Sequence, residues 1–483
     1  MPTRAVCACK AEDEDSACYG DPSHKHKGAH YCLFHWPSVR KADEFKEALR
    51  ERLAAGVYDF RGVWFPEPLH FRHGGDFETT FETAADFSHA TFNGGVHFVK
   101  VEFKAEAKFE QAVFRVMATF NTSVFKRMPD FREAKFEADA VFDGVRFEDG
   151  ANFLSAAFGR DAFFGNAYFK ALVARFEMTR FEQGAHFEST TFGSNANFGE
   201  AVFGGEAHFV KTTFSGRAIF NKATFRDYVR FEGTEAHEMF GPVTQAPKTL
   251  NVRPSLELRW AKFESPRRVF FDSLTLRPHW FVRVNARDLN FSNVKWDWRG
   301  ARAEIKRLKE AQVATSREAL EVTCRQLSDN ANDSHLYEDA SRLRFMAMEA
   351  RRLEKWDGFV PLRLIWWYWL ASGYGERVWP AAAWLACIWL LSGALYFGMD
   401  FPHWQRAAAE NHAAENQATA ARRVGALEAG AQALIYSAAV MTLQRPEPRP
   451  TSTAAQGLVM FETVLGPIQA ALLALAIRRK FMR

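Results

Sequence analysis

Residues 131–153 read FREAKFEADAVFDGVRFEDGANF, with phenylalanine at Phe131, Phe136, Phe142, Phe147 and Phe153. The steps alternate five and six residues. The same beat runs from Phe87 to Phe231, with one seven-residue step from Phe169 to Phe176. Two residues before each of these 27 phenylalanines, eighteen positions hold Ala, eight hold Val, Thr or Ser, and one holds Pro129. A period near 5.5 residues fits neither a helix at 3.6 nor a strand at 2.0. It fits a coil with sides of about five residues, the Phe and the small residue pointing inward and the residues between them outward.

This double register resembles the Phe-centred form of the pentapeptide-repeat family. The resemblance implies a right-handed quadrilateral parallel β-helix over 57–300, regular over 57–233 and irregular over 234–300. Two five-residue and two six-residue sides predict about 22 residues per coil. Seven or eight coils spaced by about 4.8 Å make a rod of about 35 Å. Each ladder Phe is expected in the core, where burial contributes about 1.5–3 kcal/mol. Some members of the family mimic DNA with a strongly acidic face. Here Asp76 to Gly233 carries 22 acidic and 18 basic residues, a net of −4, which does not support that role.

At 483 residues the chain is long enough for more than one domain, and its net charge of +4 gives no nucleic-acid-binding signature. Four of six cysteines fall in the first 32 residues. That clustering points to metal or reducing-compartment chemistry rather than a disulfide framework. The N-terminus lacks an apolar signal-peptide core, so the N-terminal bulk is expected in the cytoplasm. Within residues 1–56, Cys32-Leu-Phe-His35 is a plausible ligand pair on one turn, and Cys7, Cys9 and Cys18 offer further thiolates for a structural zinc. The Cys-x-Cys spacing is unusual, and free thiols in a loose cap are the alternative. Residues 41–55 are rich in helix formers and predict a helix covering the open end of the coil.

Beyond Gly233 the beat breaks at Pro242, Pro247 and Pro254, and ladder-like fragments return over 249–297. Residues 301–356 read as a helical linker of two helices, about 302–330 and 334–356. The second carries Arg342, Arg344, Arg351, Arg352 and Lys355. This basic cluster is either a solvated face or, with Arg351, Arg352 and Lys355 nearest the membrane, a contact for anionic lipid head groups.

Residues 357–483 begin with an aromatic belt around Trp366 and Trp367. Two apolar runs, the uncharged 378–399 and 457–477 with Glu462 as its one charge, are long enough to span a bilayer, and the uncharged run 429–444 is too short and suits a re-entrant helix. Basic residues before the first span and after the second place both termini in the cytoplasm. Span, short helix, turn and span resemble the two-helix pore of the potassium-channel superfamily. The resemblance puts the filter at Thr442, Leu443, Gln444 and Arg445, and an inner-helix hinge at Gly466 and Pro467. No Gly-rich filter run follows Thr442, so potassium selectivity is not implied. Glu462 is a second pore candidate, with Arg445 as its expected partner or with a plain interfacial role as the alternative.

Two readings follow. One is a homo-oligomeric pore, a tetramer by the channel resemblance, in a bacterial inner membrane, with the solenoid as a sensing or docking rod. The other is a membrane-anchored scaffold whose rod binds a protein partner. No triad, phosphate loop or dinucleotide fingerprint points to an enzyme.

Overall fold

The structure, a computed structural model, describes residues 23–72, 77, 80–234, 239–240, 254–354, 364–399, 426–447, 449–450 and 452–481. Cys7, Cys9, Cys18 and Lys355 lie outside them. The chain forms two compact units, Met1–Arg299 and Gly300–Arg483.

The first unit is a parallel β-solenoid of about nine turns. Its strands stack into four parallel ladders. The longest has ten strands, from Leu69–Phe71 to Asn290–Ser292, and the next has nine, from Trp64–Phe65 to Lys262–Phe263. Phe114 pairs with Phe92 on one side and Phe136 on the other, an offset of 22 residues. The offset becomes 23 where Phe158 meets Phe181. The extra residue belongs to the seven-residue step, and it is admitted because Gly150 has no side chain. A Cβ there would lie 2.7 Å from the Val173 carbonyl oxygen.

Every ladder phenylalanine from Phe87 to Phe231 is buried, and so is the small residue before it wherever that is Ala or Val. The rings stack along the solenoid: Phe92 on Phe114 at 4.7 Å, and Phe114 on Phe136 at 4.6 Å. Across it they meet edge to face, as Phe109 and Phe120 do at 86°. Such geometry adds about 0.5–1.5 kcal/mol per pair beyond area burial. Where the small position is Ser or Thr, its hydroxyl needs an acceptor in this apolar interior. Ser123, Thr179, Thr190 and Thr212 each donate to a carbonyl of the preceding turn, at 2.6–2.8 Å.

The alternation of five and six residues has a backbone cause. Each five-residue step is a tight turn whose second residue after Phe has positive φ. His89, Lys100, Gln111, Thr122, Glu133 and Gly144 follow one another every eleven residues in this state. In most of these turns the next N–H closes onto the Phe carbonyl, as Ala112 does on Phe109 at 3.1 Å, whereas Val101 N–H donates to Ser123 Oγ at 3.0 Å. The left-handed residue is usually not Gly, so each such corner costs about 1–2 kcal/mol of backbone strain. The ladder hydrogen bonds and ring stacks offset it.

At the N-terminal end, α1 (Ala42–Ala54) buries Phe45 and Leu49. Phe45 packs edge-on against Phe34 and Phe65 at 5.3 and 5.6 Å. The helix therefore extends the aromatic core of the first turn. It stops in a Schellman turn at Gly56 (φ +69°), with Val57 N–H on the Arg52 carbonyl.

The second unit is helical: α2 (Ala301–Glu310), α3 (Ser316–Asp333), α4 (Tyr337–Glu354), α5 (Leu364–Ser372), α6 (Val378–Gly398), α7 (Ala426–Met441) and α8 (Thr453–Phe481). The first expected linker helix is two helices. Gln312 turns left-handed (φ +55°), and Val313 N–H reaches the Leu308 carbonyl, closing a Schellman motif that ends α2. Because the left-handed residue is Gln rather than Gly, no sequence signal marks the break. Among the described residues, α6 and residues 453–479 of α8 are long and apolar enough to cross a membrane.

Candidate functional site

In the N-terminal cap, Cys32 Sγ lies 2.9 Å from His35 Nδ1, and His35 Nε2 lies 3.0 Å from the Arg61 carbonyl. A carbonyl only accepts, so Nε2 carries the proton and Nδ1 faces the thiol. A metal-ligating histidine commonly holds its second nitrogen in this way. Cys32 and His35 are thus brought side by side as expected from their spacing, whereas Cys7, Cys9 and Cys18 lie outside the described residues. Among the described residues, no three His, Cys, Asp or Glu side chains are placed to share a metal. Next to the pair, buried Lys41 donates to the Leu33 and Phe34 carbonyls at 2.7 and 2.8 Å. Burial pushes its amine down to about 7, against a smaller upward pull from Cys32.

In the second unit α7 packs against both apolar helices. Two glycines allow the approach. A Cβ on Gly393 of α6 would lie 2.5 Å from Leu434 Cδ2, and one on Gly466 of α8 would lie 3.0 Å from Met441 Cβ. Small residues at such crossings let apolar helices come close. Gly466 therefore serves helix packing, and α8 continues unbroken through Pro467. Gln469, one turn on, is buried and donates to the Ala371 and Ala381 carbonyls, both at 2.8 Å. That ties α8 to α5 and to the start of α6.

Thr442 to Arg445 are exposed at the C-terminal end of α7. Leu443 has φ +60°, Leu443 N–H bonds the Val440 carbonyl at 3.0 Å, and Gln444 N–H bonds the Ala439 carbonyl at 2.9 Å. This is again a Schellman turn, with Leu at the position glycine favours. The Thr442 hydroxyl reaches back to the Ala438 and Ala439 carbonyls.

Glu462 does not pair with Arg445. It is fully buried, whereas Arg445 is exposed. Tyr396 Oη of α6 donates to Glu462 Oε2 at 2.8 Å, and Ser437 Oγ of α7 contacts Oε1. Tyr396, Tyr436, Ala433, Val440 and Ala455 form the apolar cluster beside it. Spacing could not reveal these partners, because they lie 66 and 25 residues from Glu462. A buried carboxylate on an apolar helix was the available signal.

The basic cluster on α4 divides. Arg351 is exposed. Arg352 is not: its side chain is 9 % exposed, pairs with Glu349 and lies 4.8 Å over the Trp369 ring. It therefore joins α4 to α5 instead of facing head groups. Arg344 of α4 and Arg479 of α8 converge on Glu376, at 3.3 and 2.9 Å. Ser341 also donates to Glu376, at 2.6 Å. One carboxylate in the α5–α6 turn thus joins the linker to the end of the second apolar helix.

The solenoid carries a feature the phenylalanine beat hides. One outward file of its ten-strand ladder runs His70, His97, Thr119, Val141, Phe163, His186, His208. His70 stacks on His97 at 4.7 Å, Phe163 on His186 at 4.8 Å, and His186 on His208 at 5.3 Å. Hydrogen bonding to Glu188 holds His186 above the usual histidine range, whereas burial and then the His70 charge push His97 below it.

Residues 198–238 match the family model of pentapeptide repeats, nine copies. No curated protein and no solved structure matches the chain. The match begins inside the continuous ladder register, and the same register runs through the regular turns on its N-terminal side. The first unit is a pentapeptide-repeat β-solenoid, joined in one chain to helices of which two are long and apolar enough to span a membrane.

Proposed function

We propose that the chain is a homo-oligomeric membrane pore protein, assembled as a tetramer, with the solenoid as a cytoplasmic sensing or docking rod. The carrying observation is α7. At 16 residues it measures about 24 Å, short of the roughly 30 Å hydrocarbon layer. It is seated between the two apolar helices and ends in an exposed turn at Thr442–Arg445. In this reading α7 is re-entrant and Arg445 rings the pore mouth, favouring anions or poor selectivity over potassium. The outward faces of α8, with Met460, Phe461, Val464 and Ile468 exposed, meet lipid or neighbouring copies. The rod is right-handed and four-sided, both termini lie in the cytoplasm of a bacterium, and Arg351 and Lys355 face anionic lipid. Zinc holds the N-terminal cap through Cys32, His35 and two of Cys7, Cys9 and Cys18. No enzymatic step is assigned.

The test is ion flux in liposomes bearing the full-length protein. Arg445→Glu is expected to shift or reverse ion preference. Identical flux and selectivity in the variant would remove Arg445 from the conduction path. The stacked file Phe163–His186–His208 favours a second reading, a membrane-anchored scaffold that binds a protein partner along this strip without conduction.

A further inference from the structure

Among the described residues, no opposite charge is placed beside Glu462. The α6 side offers Trp389, Ser392 and Tyr396, and α7 offers Tyr436 and Ser437. Helix α6 has no charged residue, and the charged residue of α7 is Glu428, an exposed side chain two turns before Tyr436. On α8 itself the next charges are Arg478 and Arg479, about 24 Å along the helix. An ionised carboxylate here would be buried without compensation, which is strongly unfavourable.

The count of hydrogens points the same way. Tyr396 has one hydroxyl hydrogen, and it goes to Oε2. The Ser392 hydroxyl also bonds the carboxyl group. Ser437 has one hydrogen but two oxygens in reach, Glu462 Oε1 and the Trp389 carbonyl at 3.2 Å. A carbonyl can only accept. With a proton on Oε1, Glu462 donates to Ser437, and Ser437 donates onward to Trp389. Each donor then has one acceptor, and the chain joins all three helices. Without that proton one of the two Ser437 contacts has no hydrogen.

We infer that Glu462, Ser437, Tyr396 and Ser392 form a proton-binding site inside the apolar helix bundle, occupied at neutral pH. Release of the proton places a charge at the meeting point of α6, α7 and α8. The bundle loosens there, so the seating of α7 is tied to the proton. The site rests on the packing of the three helices and does not depend on conduction.

The test is infrared spectroscopy of the full-length protein in lipid nanodiscs, wild type against Glu462→Gln. At neutral pH the wild type is expected to show a protonated-carboxyl carbonyl band that the variant lacks. Raising the pH removes the band and lowers the thermal midpoint of the wild type, with the midpoint of Glu462→Gln unmoved. Should Glu462→Gln fail to assemble, Tyr396→Phe serves in its place: loss of the donor to Oε2 shifts the band. A carboxylate signal at neutral pH would overturn the proposal. So would a band that added sodium or lithium displaces at neutral pH, because the resident would then be a metal cation. A band unmoved at every pH the fold survives would mean a fixed structural acid, and would overturn it too.

Discussion

The residues that set the solenoid are of two kinds, and only one is visible as a pattern. Phenylalanine and its small neighbour repeat because ring and methyl fill one cross-section, and a repeat of size can be read from letters alone. The left-handed corners repeat just as strictly, yet hold Lys, Gln, Glu and Met as well as Gly. No glycine rule finds them. Gly144 is a corner where the cheap residue is present, at φ +66° with Thr122 Cγ2 3.2 Å from a Cβ position. Gly144→Ala should cost about 1–2 kcal/mol, read from denaturant unfolding. A neutral result would mean that the corner strain is relaxed elsewhere in the turn. Histidines on the outer file give a second residue-scale expectation. His186 should titrate above the ordinary value and His97 below it in an NMR titration. Glu188→Gln should bring His186 back toward the ordinary value. Since the folded value of His186 is raised, its stabilisation is full below the unfolded value of about 6.5 and is lost as pH rises through the folded value.

At the scale of elements, the same Schellman device ends α1, α2 and α7, and its legibility differs with the residue it uses. Gly56 announces the end of α1. Gln312 conceals the end of α2, so the sequence reads as one helix over about 302–330 where α2 and α3 occur. Leu443 occupies the same place in α7, at a cost of about 1 kcal/mol. Leu443→Gly is expected to stabilise the bundle by a few tenths to about 1 kcal/mol, measured as a rise in thermal midpoint in detergent. A fall would show that the exposed Leu443 side chain makes contacts between copies. The two glycine crossings predict the opposite effect. Gly393→Val should separate α7 from α6, because Leu434 Cδ2 already lies 2.5 Å from the Cβ position. Cysteine cross-linking between the two helices reads this out; unchanged cross-linking would mean that α7 is held elsewhere. The span lengths and the shortness of α7 were readable from hydropathy. The Tyr396–Glu462–Ser437 contact was not, because it joins three helices and no local spacing encodes it.

For the molecule as a whole, a repeat in one unit and an apolar helix bundle in the other are written in two different periods, and both survive in the fold. The outward positions of the first unit, unlike the inward Phe and its small neighbour, are those the repeat leaves free to vary. Metal analysis of freshly reduced full-length protein bears on the cap: about one zinc per chain is expected, and metal-free protein with an intact fold would remove zinc from the account. The central claim concerns the helices. Liposomes carrying the purified chain should show ion flux, and Arg445→Glu should change its ion preference. Liposomes that stay equally tight with and without the protein, although it is inserted with α6 and α8 across the bilayer, would contradict a pore and leave the helices as an anchor for the solenoid.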